Sequence, residues 1–366
     1  MLIERAPRFR EGGYIIDFWG VGFDVAERMG LIPTLRKEGY RFNRIEFVAK
    51  DGKRRSALGG NSFERALGDR FFSVHRGDLA REIYRLIEGK VETVFGESVA
   101  DIRQDAGGVQ VTFARGEPRS FDLLVGADGL HSGVRAAIFG DGEDVEKYLG
   151  YYAASFMTSG YPRRNERTYL SYGAPGRQIS RYGLRGDLTA FLFVFANEHP
   201  LPNIAHDVKA QREFLRRTFS REPWEEWPQI ESRLDACDDL YFDAVSQIVL
   251  PRWSRWRVAL IGDAAYCPSL LAGEGSAFAM AGAYVLAREL KHADGDYAQA
   301  FANYERQFRP FIERKQKSAR AFASSFAPKS RFGLFLRDQI LRLSAIPAVA
   351  DWIMRRLVSD SFTLPD

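Results

Sequence analysis

The run Arg257-Val-Ala-Leu-Ile-Gly-Asp-Ala-Ala-Tyr-Cys-Pro-Ser-Leu-Leu-Ala-Gly-Glu-Gly-Ser276 narrows the possible folds more than any other stretch of this chain. Its apolar start, Val258 to Ile261, reads as a buried strand. Gly262 and Asp263 end that strand, a loop comes next, and Gly273-x-Gly275 opens an alanine-rich helix. A strand that delivers a carboxylate to a glycine turn and a helix start suits a polar, phosphate-bearing ligand. The Asp263 carboxylate accepts hydrogen bonds from sugar-type hydroxyls. Glycines without Cβ let backbone N–H groups come close, and the helix N-terminus adds partial positive charge. The same residues also fit an ordinary βα turn that happens to hold Gly and Asp, because short glycine motifs recur by chance.

A second segment, Phe121-Asp-Leu-Leu-Val-Gly-Ala-Asp-Gly-Leu-His-Ser-Gly-Val-Arg135, repeats the pattern: apolar strand, Gly126, Asp128-Gly129, then a helix. The two segments together resemble the aromatic-hydroxylase (p-hydroxybenzoate hydroxylase-like) family of FAD-dependent monooxygenases, which carries an Asp-Gly motif mid-chain and a Gly-Asp motif near the end of its flavin domain. The later segment is most similar to the branch acting on polyketide-like and other aromatic small molecules, including tetracycline-inactivating enzymes. The resemblance covers most of the chain.

The resemblance implies FAD as cofactor, NAD(P)H as electron donor and O₂ as co-substrate. It gives Gly262 and Asp263 the ribityl chain, and it lets Gly273, Glu274 and Gly275 bring backbone N–H groups to the flavin and phosphates. Pro268 then shapes the loop beside the ring. Asp128 and Gly129 lie near the pyrophosphate and assist nicotinamide use. Arg76, three residues before Leu79 at a helix start, contacts the cofactor; otherwise it is a first-turn surface cation. Val99 falls where a backbone contact to the adenine is expected. Glu4, beside Arg5, matches the acid that ends the second strand of a dinucleotide fold and holds the adenosine ribose; otherwise it is a solvated terminal charge. The sequence departs from the family at Gly273-Glu-Gly-Ser-Ala277, where the usual Gln and Asn are missing and Glu274 brings a charge.

A larger departure lies at the start. The first strand, its Gly-x-Gly-x-x-Gly loop and the first helix are expected within roughly 30 residues upstream of Glu4. Gly12-Gly13 and Gly20-Val-Gly22 come after no strand of the right kind. The expectation is a Rossmann-like FAD-binding domain missing its first βα unit, in an N-terminally truncated chain that binds FAD poorly or is marginally soluble. Each buried backbone group left unpaired costs about 1–3 kcal/mol.

The predicted organisation is α/β. Residues 1–147 form the first part of the FAD-binding domain, with an inserted hairpin around Asp51-Gly52 (strands Phe42 to Phe47 and Arg54 to Leu58). Residues 148–250 run as consecutive strands separated by Gly, Pro and Asn turns, which indicates an antiparallel sheet roofing a substrate pocket. Residues 251–366 complete the flavin domain with C-terminal helices. The pocket aromatics are drawn from Phe18, Trp19, Tyr169, Tyr172, Tyr182, Phe191 and Phe193, and strand alternation turns only about half of them inward.

A net charge of +4 from 52 basic and 48 acidic residues gives no argument for nucleic acid, and Lys53-Arg54-Arg55 reads as a solvated turn. Cys237 and Cys267 lack metal or redox spacing, and the five histidines form no metal pattern. A reducing, cytoplasmic setting fits, with Cys267 either lining the flavin pocket or inert. No apolar run reaches 18 residues, so no integral membrane segment is expected. Phe332 to Leu343 and Ile346 to Leu357 are amphipathic and pack on the flavin domain or lie on a membrane. The functional expectation is a monomeric or homodimeric FAD-dependent monooxygenase that hydroxylates an aromatic or polyketide-like small molecule. A related flavin reductase or dehydrogenase, or a non-catalytic remnant that binds a small molecule, is the alternative.

Overall fold

The computed structural model describes residues 1–9, 14–40, 44–59, 67–140, 145–162, 168–201, 204, 207–221, 224–343, 349 and 362–366. Expectations at Gly12-Gly13 and Phe42, and most of the span 346–357, lie outside these residues.

Helices and several sheets make a mixed α/β fold. Among the described residues the largest sheet has seven strands, in the spatial order Tyr241–Ile248, Glu146–Ser159, Leu188–Ala196, Arg177–Gly183, Thr168–Ala174, Arg44–Val48 and Arg54–Gly59. Period-two alternation gives it two working faces. Gln178 and Tyr182 face a cavity. Their neighbours Ile179 and Arg181 face the helices Val208–Phe219 and Trp227–Ala236, where Ile179 packs with Leu215 and Ile230. Arg181 makes a buried bidentate pair with Glu226 at 2.7 and 3.1 Å, and the Tyr161 hydroxyl donates to the same carboxylate at 2.8 Å. Every charge of that pair has a partner, the condition under which a buried ion pair is tolerated.

The sheet departs from the expected antiparallel roof in two respects. The hairpin Arg44–Gly59, read as an insertion in the flavin domain, forms its edge, and Thr168–Ala174 pairs with Arg44–Val48 in parallel. A two-stranded ribbon is marginal alone. Here it gains a ladder, and Val48 joins the core between the sheet and the helices Val208–Phe219 and Trp227–Ala236.

Outside the seven-stranded sheet, the parallel strands among the described residues form two pairs, Leu2–Glu4 with Thr93–Phe95 and Leu124–Gly126 with Val258–Leu260. Among the described strands the pairs share no ladder, and Leu2 and Val125 are exposed although parallel strands are ordinarily covered. The helix Gly20–Arg28 crosses Gly275–His292 at Gly22, where a Cβ would stand 2.5 Å from the Ala277 Cβ. That near contact of backbones fixes where the second helix begins.

The helix Arg331–Leu343 packs on the sheet edge formed by the hairpin. Arg337 donates to Gln178 Oε1 at 3.0 Å, and Arg342 donates to the Arg55 carbonyl at 3.1 Å. The guanidinium of Arg337 also lies over the Phe47 ring, so the hairpin edge supplies both the polar and the aromatic partners. Among the described residues no helix is long and apolar enough to cross a membrane.

Candidate active site

The strand Val258–Leu260 is fully buried, and the chain leaves it through Gly262 at φ 60°. A short helical turn, Asp263–Tyr266, and a 3₁₀ turn, Leu270–Ala272, replace the expected loop. Ser269 between them holds φ 110°, a sparsely populated backbone state. Its hydroxyl accepts from the Leu271 N–H at 3.2 Å. Gly273 takes φ 70° with open space where a Cβ would stand. The 18-residue helix Gly275–His292 then starts without a side-chain cap. Glu274, at the capping position, instead pairs with Lys315 at 2.9 Å. The first N–H groups of a long helix are left for a ligand.

Leu124–Gly126 runs parallel to that strand with Gly126 opposite Leu260, so Asp128 and Asp263 emerge at the same end of adjacent strands. Register thus brings together two acids that are far apart in the chain. Asp128 accepts from the Ser132 hydroxyl and from the Val134 N–H at 3.0 Å, and the Ser132 hydroxyl accepts from the Arg135 N–H at 2.9 Å. This cluster caps the helix Gly133–Phe139. Arg135 donates to the Ala264 carbonyl at 3.1 Å, tying one acidic loop to the other. His131 Nε2 lies 3.1 Å from Asp243 Oδ1 on the seven-stranded sheet.

Asp128, Gly129, Gly262 and Asp263 share the wall of one cavity of about 1610 Å³ with Gly273, Glu274 and Gly275. Arg5 and Arg76 also reach it. Three predicted residues stand outside that wall. Glu4 accepts from the Ala6 N–H at 2.6 Å, and Val99 pairs with Phe113 in a separate sheet. Pro268 is buried with its carbonyl bonded to Gln247 at 2.8 Å. Among the aromatic candidates, Trp19, Tyr169 and Tyr182 line the cavity. Phe18, Tyr172, Phe191 and Phe193 are core residues, and Leu192 takes the cavity side between the last two.

Burial pushes the Asp263 carboxyl up, against the pull of the Cys267 hydrogen bond and the Arg76 guanidinium, while the Asp243 charge adds to the rise. The Cys267 thiol is itself pushed well above its usual value by burial, so it stays protonated. Burial also raises Tyr14 to about 12. Sequence reasoning had not singled out Tyr14, Asp17, Gln178 or the His131–Asp243 pair. The pair spans two distant segments, and no local signal marks it.

These residues fit FAD. Asp263 is a half-buried carboxylate on the cavity wall, placed beside uncapped helix N–H groups and a glycine that leaves open space. Ordinary ligand cavities run about 300–1,000 Å³, so this one has room for a flavin and a second molecule.

Comparison with known proteins agrees with that geometry. No protein-family model matches the chain. A flavin-dependent monooxygenase of Legionella longbeachae serogroup 1 is 32% identical over 374 residues, covering 100% of this chain and 91% of the relative. An uncharacterized protein of Mycobacterium tuberculosis is 36% identical over 321 residues, 86% of this chain and 84% of that protein. The crystal structure of tetracycline destructase Tet(51) superimposes with a TM-score of 0.82 at 29% identity, over 100% of this chain and 92% of that one. Klebsiella pneumoniae HpxO, complexed with FAD and uric acid, shares the fold with a TM-score of 0.77 at 23% identity, over 98% and 90%. Fold and site define a flavoprotein oxidoreductase. The chain belongs to the FAD-dependent monooxygenases.

Proposed function

We propose that this monooxygenase takes electrons from NAD(P)H and hydroxylates an aromatic or polyketide-like small molecule within the cavity beneath the seven-stranded sheet. The observation that supports this most is the convergence of Asp128 and Asp263 on one cavity that Trp19, Tyr169 and Tyr182 also line. Bound FAD supplies the redox chemistry, carrying electrons from NAD(P)H to O₂ so that one oxygen atom enters the substrate and the other leaves as water.

The chain's own part is binding, orientation and exclusion of water. Asp263 holds the ribityl hydroxyls, and the N–H groups at Gly275 and Ser276 face the anionic portion of the cofactor. Arg76 adds positive charge, and Glu4 and Val99 serve the adenosine end. Lys315 neutralises Glu274, so the acid in place of the usual glutamine does not repel the cofactor. A cofactor half formed by residues 1–147 and 251–366, beneath a substrate roof formed by 148–250, belongs to the same proposal.

The test is oxygen uptake by the purified chain with added FAD and NADPH or NADH, across a panel of phenols and fused aromatic polyketides. Uptake that rises with one of these compounds, together with a product heavier by one oxygen atom in the mass spectrum, is expected. NAD(P)H oxidation indifferent to every aromatic compound, with no oxygenated product, would count against it.

A further inference from the structure

Asp17 belongs to neither cofactor motif, yet its carboxylate stands in the cavity. It lies on the strand Ile15–Phe18, whose alternate residues Ile16 and Phe18 enter the core. Asp17 points the other way, exposed to the cavity while protein surrounds it. The Ser73 hydroxyl on the paired strand donates to it. Facing it from the seven-stranded sheet are Tyr169 and Tyr182, stacked with centroids 5.2 Å apart and planes 15° from parallel. Tyr182 is held in place by the Ile15 N–H, which donates to its hydroxyl at 3.3 Å. The charge of Asp17 is felt by both tyrosines.

Among the described residues no cationic side chain figures in the electrostatics of Asp17; burial and the Ser73 hydroxyl set its state. The cavity's nearby arginines act elsewhere. Arg44 pairs with Glu46 at 2.9 Å, and the charge of Arg76 bears on Tyr14 and Asp263. A carboxylate enclosed with two aromatic rings and no counter-charge is costly. A ligand cation relieves that cost by a charge-assisted hydrogen bond, and the Tyr169 ring beside it adds to the attraction.

We propose that Asp17 and the stacked Tyr169–Tyr182 pair form a subsite for a positively charged nitrogen, so that the enzyme selects aromatic substrates bearing a basic amine. The proposal rests on the monooxygenase reading above and names its substrate class. Burial raises the Asp17 carboxyl from its ordinary value, as expected of an acid whose partner arrives with the ligand. A carboxylate-bearing aromatic is repelled at the same place, and a neutral one leaves the acid unpaired.

The test measures binding of three size-matched probes (naphthylmethylamine, naphthylmethanol and naphthoate) by calorimetry. Wild type, Asp17→Asn and Asp17→Ser are compared, the two variants guarding against a fold defect in either. Wild type is expected to bind the amine about tenfold more tightly than the alcohol, and the naphthoate most weakly. Both variants are expected to bind amine and alcohol within about twofold of each other. Equal affinities in wild type, no binding of the amine, or a preference that survives both substitutions overturns the subsite. An FAD titration on the same samples separates the two ideas. Lost flavin binding with a retained amine preference removes the oxygenase reading alone, and retained flavin binding without the preference removes the subsite alone.

Discussion

Asp128 and Asp263 sit at the same end of neighbouring parallel strands and each precedes a helix, yet the fold uses them in opposite ways. Asp128 is exposed and accepts from Ser132 and Val134, so its carboxylate serves the start of the helix Gly133–Phe139. Burial pushes the Asp263 carboxyl up, and among the contacts that set its state it accepts only from the Cys267 thiol. The difference lies in the residues around each acid. A serine four residues on and an open backbone N–H draw the first inward to the chain; a glycine behind and an alanine ahead leave the second facing the cavity. One acid holds the loop's shape, and the other is left for a ligand.

The largest expected effect separates the two by substitution. Asp263→Ala should weaken FAD binding about 10–100-fold, the worth of one or two hydrogen bonds to a charged group. Its apoprotein should melt no lower than wild type, because the raised carboxyl is an unfavourable burial. Asp128→Ala should do the reverse. Loss of the cap should cost about 0.5–2 kcal/mol of apoprotein stability, with a change in FAD affinity of no more than about threefold. Flavin fluorescence titration and thermal melts of the four combinations check this. Equal loss of FAD affinity in both variants, with both melts unmoved, would erase the distinction.

A smaller effect sharpens the Asp263 side. Glu274 and Lys315 are mostly buried, and the Lys315 ammonium lies 5.5 Å from the Trp19 ring centroid. Glu274→Gln removes the charge opposite that ammonium while keeping a hydrogen-bonding side chain. It should destabilise the protein by about 1 kcal/mol and weaken FAD binding less than Asp263→Ala does. Restoration of stability in the double variant Glu274→Gln, Lys315→Met would show that the unpaired ammonium was the cause. If Glu274→Gln melts as wild type does, the pair does not hold the helix start.

What could be read from the sequence divides along the same line of local against distant. The helices Arg76–Ile87 and Gly275–His292 begin where their own residues indicate, because glycines and periodicity act within a few positions. Both acidic motifs were legible for that reason, and the shared register of their strands explains why they meet. The hairpin Arg44–Gly59 was visible as a hairpin but not as an edge of the large sheet, since its partner strand begins at Thr168. The phase of alternation was hidden too. Phe191 and Phe193 look like pocket residues until the helices beneath them are placed, after which Leu192 is the one on the cavity. Asp17 carried no motif, and only the fold sets it opposite Tyr169 and Tyr182.

The smallest effect lies on the Asp128 side, at the joint between its loop and the roof. The hydrogen bond that the His131 ring donates to Asp243 raises the imidazole above its usual value, with burial opposing, the Asp243 and Glu146 charges adding to the rise and Arg135 reducing it. A raised folded-state value means that the protonated ring is favoured by folding. The stabilisation is therefore fully present below the unfolded imidazole value and is lost as pH rises through the folded one. His131 is 61% exposed, so solvent screens the pair and its worth stays under about 0.5 kcal/mol. His131→Gln should therefore melt slightly below wild type near about pH 5 and together with it near about pH 9. The FAD affinity of His131→Gln should match wild type at both values, because the partner of the ring is Asp243 on the sheet. A melting difference that stays constant across that range would mean the contact is steric packing and not a titrating pair, leaving the cap and the Arg135–Ala264 bond as the polar anchors of the Asp128 loop.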